Sequence, residues 1–309
     1  MEPLTFADAP DELLPDALRA IRAVLLEIHD IFSDHRHAIV VAGGLTPSLL
    51  LPADASGLYR ATNDIDLVLD LTLLQAAADD SQPTLGESLL QNLYQQIPGQ
   101  QFRWERRVWL PNRQKSIAVP VDLLTPVRYG LGGPEQSVRR RVRDVHEIDP
   151  APLKGVDLAL LNPVTCLLSG TLPNGIERRE NVPIRVVDLA LFIAIKAVAL
   201  DDRLQAHQVN TGEGHDRHAA KHAYDIDECI ARFPGGLTAL ADRLRPYRTL
   251  PAVADALQSL AMHFATADSA GPARLVEEER HRFEDSDILA IVRQSASRRV
   301  GRLIRAIND

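Results

Sequence analysis

Between residues 12 and 33 apolar side chains return every three or four positions, at Leu14, Leu18, Ile21, Leu25, Ile28 and Phe32, with Leu13 and Val24 widening the stripe. That period marks one face of a helix and predicts an amphipathic helix lying on a sheet. Two short apolar runs, 38–42 and 65–69, read as buried strands. Between them Gly43-Gly44 makes a turn, residues 45–51 form a short helix that must stop near Pro52, and 53–60 is turn-rich. Helices are predicted at 71–78 and 85–97, and two strands at 102–110 and 116–124 form a hairpin through Pro111 to Gln114. The stretch 125–152, with Gly130, Gly132-Gly133-Pro134 and four arginines in 139–143, reads as a long surface excursion. Residues 156–161 and 182–186 are further strand candidates.

After Val187 no strand pattern recurs. Helical patterns occupy 187–202, 217–232, 235–245, 251–265 and 285–307, with breaks at Pro234-Gly235-Gly236 and Gly271-Pro272. The reading is an α+β half over 1–186 followed by a helical half over 187–309, each of ordinary domain size.

Composition adds little to the fold but narrows the function. With 34 Lys plus Arg against 42 Asp plus Glu, the formal charge is −8 and the pI about 5.7, which excludes a generic polyanion binder. Cys166 and Cys229 are too few and too far apart for a disulfide framework or a zinc site, so a reducing, cytosolic setting is expected. The N-terminus is acidic, and no apolar run is long enough to span a membrane. Lysine occurs only at Lys115, Lys154, Lys196 and Lys221, the rest of the cations being arginine.

Asp64-Ile65-Asp66 is the sharpest chemical feature. Positions i and i+2 of a strand share a face, so the two carboxylates project together and call for a cation between them. A hard divalent ion such as Mg²⁺, which also bridges phosphates, suits that pair, although two solvated acids at the start of a strand give the same pattern. Gly43-Gly44 permits a close backbone approach and leaves N–H groups for an anion. Arg60 and Thr62 place a cation and a hydroxyl at the same edge. Asp122, alone in the apolar run Val119-Pro-Val-Asp-Leu-Leu, requires a partner or a metal to offset its burial. Lys196, inside the apolar run 189–200, either faces a cleft with anions, which a triphosphate would supply, or snorkels to solvent at the helix edge.

Gly43-Gly44, then Arg60-Ala-Thr62-Asn-Asp64-Ile-Asp66-Leu, then Val121-Asp122-Leu-Leu resemble the nucleotidyltransferase superfamily with the polymerase-beta type catalytic domain. The later stretch from Leu191 through Lys196 to Arg203, followed by Lys221-His-Ala-Tyr-Asp225-Ile, resembles its AbiEii-type (abortive infection) toxins. The resemblance implies a mixed-sheet catalytic domain with flanking helices and a C-terminal helical bundle that completes the active-site cleft. It implies transfer of a nucleoside monophosphate from an NTP to an acceptor hydroxyl, RNA and tRNA in particular, by a toxin with a separate antitoxin partner. Asp64, Asp66 and Asp122 would hold Mg²⁺ in a two-ion site, with Asp122 assisting deprotonation. Gly43, Gly44, Thr46, Arg60, Thr62 and Lys196 would bind the nucleotide, and Lys196 and Asp225 would belong to the active site. Where the family has Ser or Thr directly after Gly-Gly, this chain has Leu45, which leaves Thr46 or Ser48 to offer the hydroxyl.

Other groups stay open. His215, His218 and His222 share one helical face, and read either as a zinc set or as a solvated or nucleotide-facing edge. The arginine-rich segments 103–113, 139–143 and 298–305 read as RNA-backbone stripes or as solvated faces, and Trp104 and Trp109 as base-stacking or packing residues. A small-molecule nucleotidyltransferase and a non-catalytic relative that serves as an interaction module are the alternative functions.

Overall fold

A computed structural model describes residues 6–7, 9–11, 14–52, 62–76, 83–110, 114–130, 134–209, 213–280 and 285–309, with the backbone alone described at 129–130, 134, 207–209 and 213–217. It is a mixed α/β chain of two compact units, Met1–Asp188 and Leu189–Asp309.

The first unit is built on one mixed sheet. Its strands are β1 (Ile39–Ala42), β2 (Ile65–Leu69), β3 (Tyr94–Ile97), β4 (Gln100–Leu110), β5 (Lys115–Pro126), β6 (Ala151–Leu153), β7 (Val164–Thr171) and β8 (Arg178–Val186). They lie in the order β3-β4-β5-β2-β1-β8-β7, with β6 paired to β5 beyond the end of β2. The helix α1 (Asp16–Ile31) covers one face. Leu18, Ile21, Leu25 and Ile28 bury against Ile39, Val41, Ile65, Leu67, Val121, Leu123 and Ile184, the alternate residues of the central strands. Strand periodicity then sends Val40, Asp66, Val68 and Asp122 to the other face. Within the α1 layer, Arg106 of β4 grips Glu27 of α1 with two hydrogen bonds of 2.9 and 3.1 Å, both side chains being buried.

Short helices α2 (Thr46–Leu50) and α3 (Leu71–Ala76) follow β1 and β2, and α4 (Leu85–Gln91) precedes β3. Asp70 starts α3 by accepting from the N–H groups of Thr72 and Leu73 at 3.0 and 3.2 Å. A capping box of Thr84 and Glu87 starts α4.

Three expectations need correction here. The helix expected over 85–97 ends at Gln91, because Leu93 turns to a φ of 66° and Tyr94 opens a strand paired to β4. Tyr94 is fully buried, with the Arg106 guanidinium 5.8 Å from its ring centroid. The surface excursion expected over 125–152 holds α5 (Pro134–His146) and β6. Val138 and Val142, one turn apart, pack on the core, and the buried His146 Nε2 lies 3.1 Å from the Leu74 carbonyl. The arginines between them masked this apolar stripe. The strand expected over 156–161 is a 3₁₀ turn, Val156–Leu160, while β7 carries no clear alternation in sequence and owes its place to its hairpin with β8.

The second unit contains α6 (Leu189–Val209), α7 (Glu213–Ala231), α8 (Gly236–Leu244), α9 (Pro251–His263), α10 (Ala270–Glu279) and α11 (Ser286–Asn308), and no strand among its described residues. Helix α10 was not expected, since Gly271-Pro272 reads as a break; Pro272 falls in its first turn, where no N–H partner is lost. No helix of the described residues is long and apolar enough to cross a membrane.

Candidate active site

Register brings the acids of distant segments into one row. Ala42 of β1 pairs with Asp66 of β2, Asp66 with Asp122 of β5, and Asp122 with Arg103 of β4. Residues paired across neighbouring strands share a face, so Arg103, Asp122 and Asp66 stand side by side opposite α1. Asp64, two positions before Asp66, extends the row at the start of β2.

The Gly-Gly turn closes over this row. Gly43 has a φ of 70°, and a Cβ there would lie 1.6 Å from the Asp66 Oδ2. Only a residue without a side chain leaves room for that carboxylate. A Cβ at Gly44 would meet the Thr62 Oγ1 at 3.1 Å. Thr62 is buried and donates to the Asp64 Oδ1 at 3.0 Å, so its hydroxyl orients an acid. Thr46, expected to offer a hydroxyl to phosphate, is fully buried instead, because α2 turns it into the protein. Arg60 lies outside the described residues.

Asp122 has the partner that its burial demands. It is 6 % exposed, and Arg103 Nε and Nη2 reach its two oxygens at 2.6 and 2.5 Å. The hydrogen bond to Asp122 raises the Arg103 pKa above its ordinary value, and the charges of Asp122, Asp64 and Asp66 add to it against the opposing effect of burial. Arg103 therefore sits in the field of all three acids. Sequence reading missed it as a site residue, taking it as one of several arginines in a stripe; the signal that finds it is hairpin register, which sets position 103 against 122.

The donor set suits a hard divalent cation. Asp64, Asp66 and Asp122 offer carboxylate oxygens, and the room that Gly43 leaves is taken by one of them, the Asp66 Oδ2. No group of three His, Cys, Asp or Glu among the described residues, Asp64, Asp66 and Asp122 included, is arranged to hold a metal ion.

In the second unit Lys196 of α6 and Asp225 of α7 form an ion pair at 3.0 Å, with 8 % and 2 % of each residue exposed. The ammonium also lies 5.1 Å from the Phe192 ring centroid. The anion expected near Lys196 is thus present within its own helical unit. Nearby, burial pushes the Asp227 carboxyl up, while Arg299 holds it with contacts of 2.6 to 3.0 Å and opposes that rise. His218 is exposed, His222 half-buried, and the His215 side chain lies outside those described.

The arginine stripes are largely paired. Arg106 binds Glu27 and Arg107 binds Glu105 at 3.2 Å. Arg139 binds Asp149 at 2.8 Å, while Arg140 and Arg143 both approach Asp144. Of its two readings Trp104 takes packing, being buried in the core, whereas Trp109 is half exposed.

Comparison of the chain with protein-family models, curated proteins and solved structures returns no match.

Proposed function

We propose that the first unit is a nucleotidyltransferase domain that transfers a nucleoside monophosphate from an NTP to an acceptor hydroxyl. One observation carries the reading: Asp66 and Asp122 are neighbours in register on one sheet face, with Asp64 on the same row and Gly43 shaped around the Asp66 carboxylate. Two solvated acids would need neither the paired strand nor the missing side chain.

When bound, Mg²⁺ held by Asp64, Asp66 and Asp122 would neutralise the triphosphate and polarise the phosphorus under attack. The protein's own groups do the remaining work. Thr62 fixes the rotamer of Asp64 through its hydroxyl. Gly43 and Gly44 let backbone approach the row, where any larger residue would fill the space. Asp122 accepts a proton from the acceptor hydroxyl only once its oxygens are released by Arg103. Resemblance to AbiEii-type toxins alone supplies a role for the Lys196–Asp225 pair, RNA as acceptor and an antitoxin as partner.

A small-molecule acceptor is the second reading, and a specific observation favours it. Arg103, Arg106 and Arg107 each have a carboxylate of their own, which leaves less free positive surface on that stripe for an RNA backbone.

Incubation with each of the four α-³²P NTPs and Mg²⁺, with total RNA or with a panel of small hydroxyl compounds as acceptor, separates these readings. Label in a tRNA-sized band with the wild type and none with Asp64→Ala is the expected result. Label that moves only onto small hydroxyl compounds selects the second reading. No transfer to either acceptor class by folded protein contradicts the assignment.

A further inference from the structure

Arg103 holds the acid that the proposed reaction must use. Its guanidinium takes both oxygens of Asp122, at 2.6 and 2.5 Å, in the two-pronged geometry that makes such pairs strong. A divalent ion binds through the same oxygen lone pairs. Guanidinium and metal therefore compete for Asp122. The two partners differ in freedom: Asp122 is sealed in β5 at 6 % exposure, whereas the Arg103 side chain is 33 % exposed and has solvent into which it can swing.

Arg103 is also the counter-ion of an otherwise negative row. Asp64 and Asp66 stand beside Asp122, and three carboxylates on one face repel one another unless a cation lies among them. Elsewhere on β4, Arg106 turns to Glu27 on the α1 face, and Arg107, four positions from Arg103 on the same face, pairs with Glu105. A cation set by register at position 103 offsets part of that repulsion.

We propose that Arg103 is a displaceable latch: its guanidinium occupies Asp122 in the metal-free protein, and a divalent cation enters the row by displacing it. This rests on the metal-binding reading of Asp64, Asp66 and Asp122. Metal binding then includes the cost of breaking the Arg103–Asp122 pair. A nucleotide that arrives with the metal lowers that cost, because its phosphates give the freed guanidinium a new anionic partner. Metal and nucleotide are therefore coupled through this side chain.

The test is Mn²⁺ binding followed by electron paramagnetic resonance of the free ion, using manganese chloride alone and then with ATP. Wild-type protein, Arg103→Gln, Arg103→Lys and Asp66→Asn are compared. The expected result is weak Mn²⁺ binding by the wild type that Asp66→Asn removes, and binding tighter by about tenfold or more in Arg103→Gln. ATP should strengthen Mn²⁺ binding in the wild type and do so far less in Arg103→Gln. Arg103→Lys keeps the charge but loses the double grip, so it should fall between them, and it carries the test if the Gln variant does not fold. Equal or weaker Mn²⁺ binding in Arg103→Gln and Arg103→Lys, with the Asp66→Asn effect intact, overturns the latch and leaves the metal site standing. Mn²⁺ binding indifferent to Asp66→Asn in both backgrounds overturns the metal reading and the latch with it.

Discussion

Gly43→Ala reduces nucleotide transfer by roughly a hundredfold or more while the protein remains folded. The added Cβ would lie 1.6 Å from the Asp66 Oδ2, where real Cβ contacts essentially never fall below 3.0 Å. Turn or carboxylate must move by more than about 1 Å, and displacement of that size in a reacting group is enough for such a loss. The positive φ of 70° adds a separate strain of about 1–3 kcal/mol. Gly175→Ala separates the two effects. Gly175 has a φ of 73° with nothing within 4 Å of its Cβ position, so its alanine variant suffers the backbone strain and meets no carboxylate. Transfer rates and melting temperatures of both variants check this: Gly175→Ala melts lower and keeps its rate, whereas Gly43→Ala loses it.

The largest effect on stability is expected at Arg106. Arg106→Ala removes two hydrogen bonds to Glu27 and leaves a buried carboxylate without its cation. Breaking a buried ion pair from one side costs about 3–5 kcal/mol, more than the pair contributes over a well-packed apolar substitute. The pair joins α1 to β4, so the loss falls on the first unit. Both tryptophans, Trp104 and Trp109, belong to that unit, and their fluorescence reports its urea unfolding. The midpoint should fall steeply in Arg106→Ala. In the double variant Glu27→Leu, Arg106→Leu much of the loss should return, since neither charge is then left alone.

What the sequence made legible was what depends on short-range pattern. The period of two in Asp64-Ile65-Asp66 placed both acids on one face of a buried strand. Asp122 stood out because an acid in an apolar strand must have a partner. The partner itself was hidden: Arg103 lies 19 positions away, and only the register of the β4–β5 hairpin sets the two opposite each other. The contact of Asp225 with Lys196 spans 29 positions of the chain, and the packing of α6 on α7 makes it.

Other readings failed where a local signal lost to a tertiary one. Residues 94–97 carry polar and apolar positions compatible with a helix, yet burial of Tyr94 under Arg106 and pairing with β4 draw them into a strand. In α5 the four arginines outweighed Val138 and Val142 in the reading, although two apolar residues one turn apart are enough to seat a helix on the core. Thr46 has the residue type of a phosphate contact, but burial removes its hydroxyl from the open face.

The central claim is that the row of Asp64, Asp66 and Asp122 binds a divalent ion together with a nucleotide. Crystals grown with Mn²⁺ and an α,β-methylene NTP, measured at the manganese absorption edge, test it directly. The account predicts an anomalous peak bonded to Asp66 and Asp122 at roughly 2.1–2.2 Å, close to the distance typical of small divalent ions on oxygen, with Arg103 turned away from Asp122 and the phosphates against the Gly43-Gly44 turn. A peak bound by other residues, or an Arg103–Asp122 pair unchanged with nucleotide bound elsewhere, would contradict it.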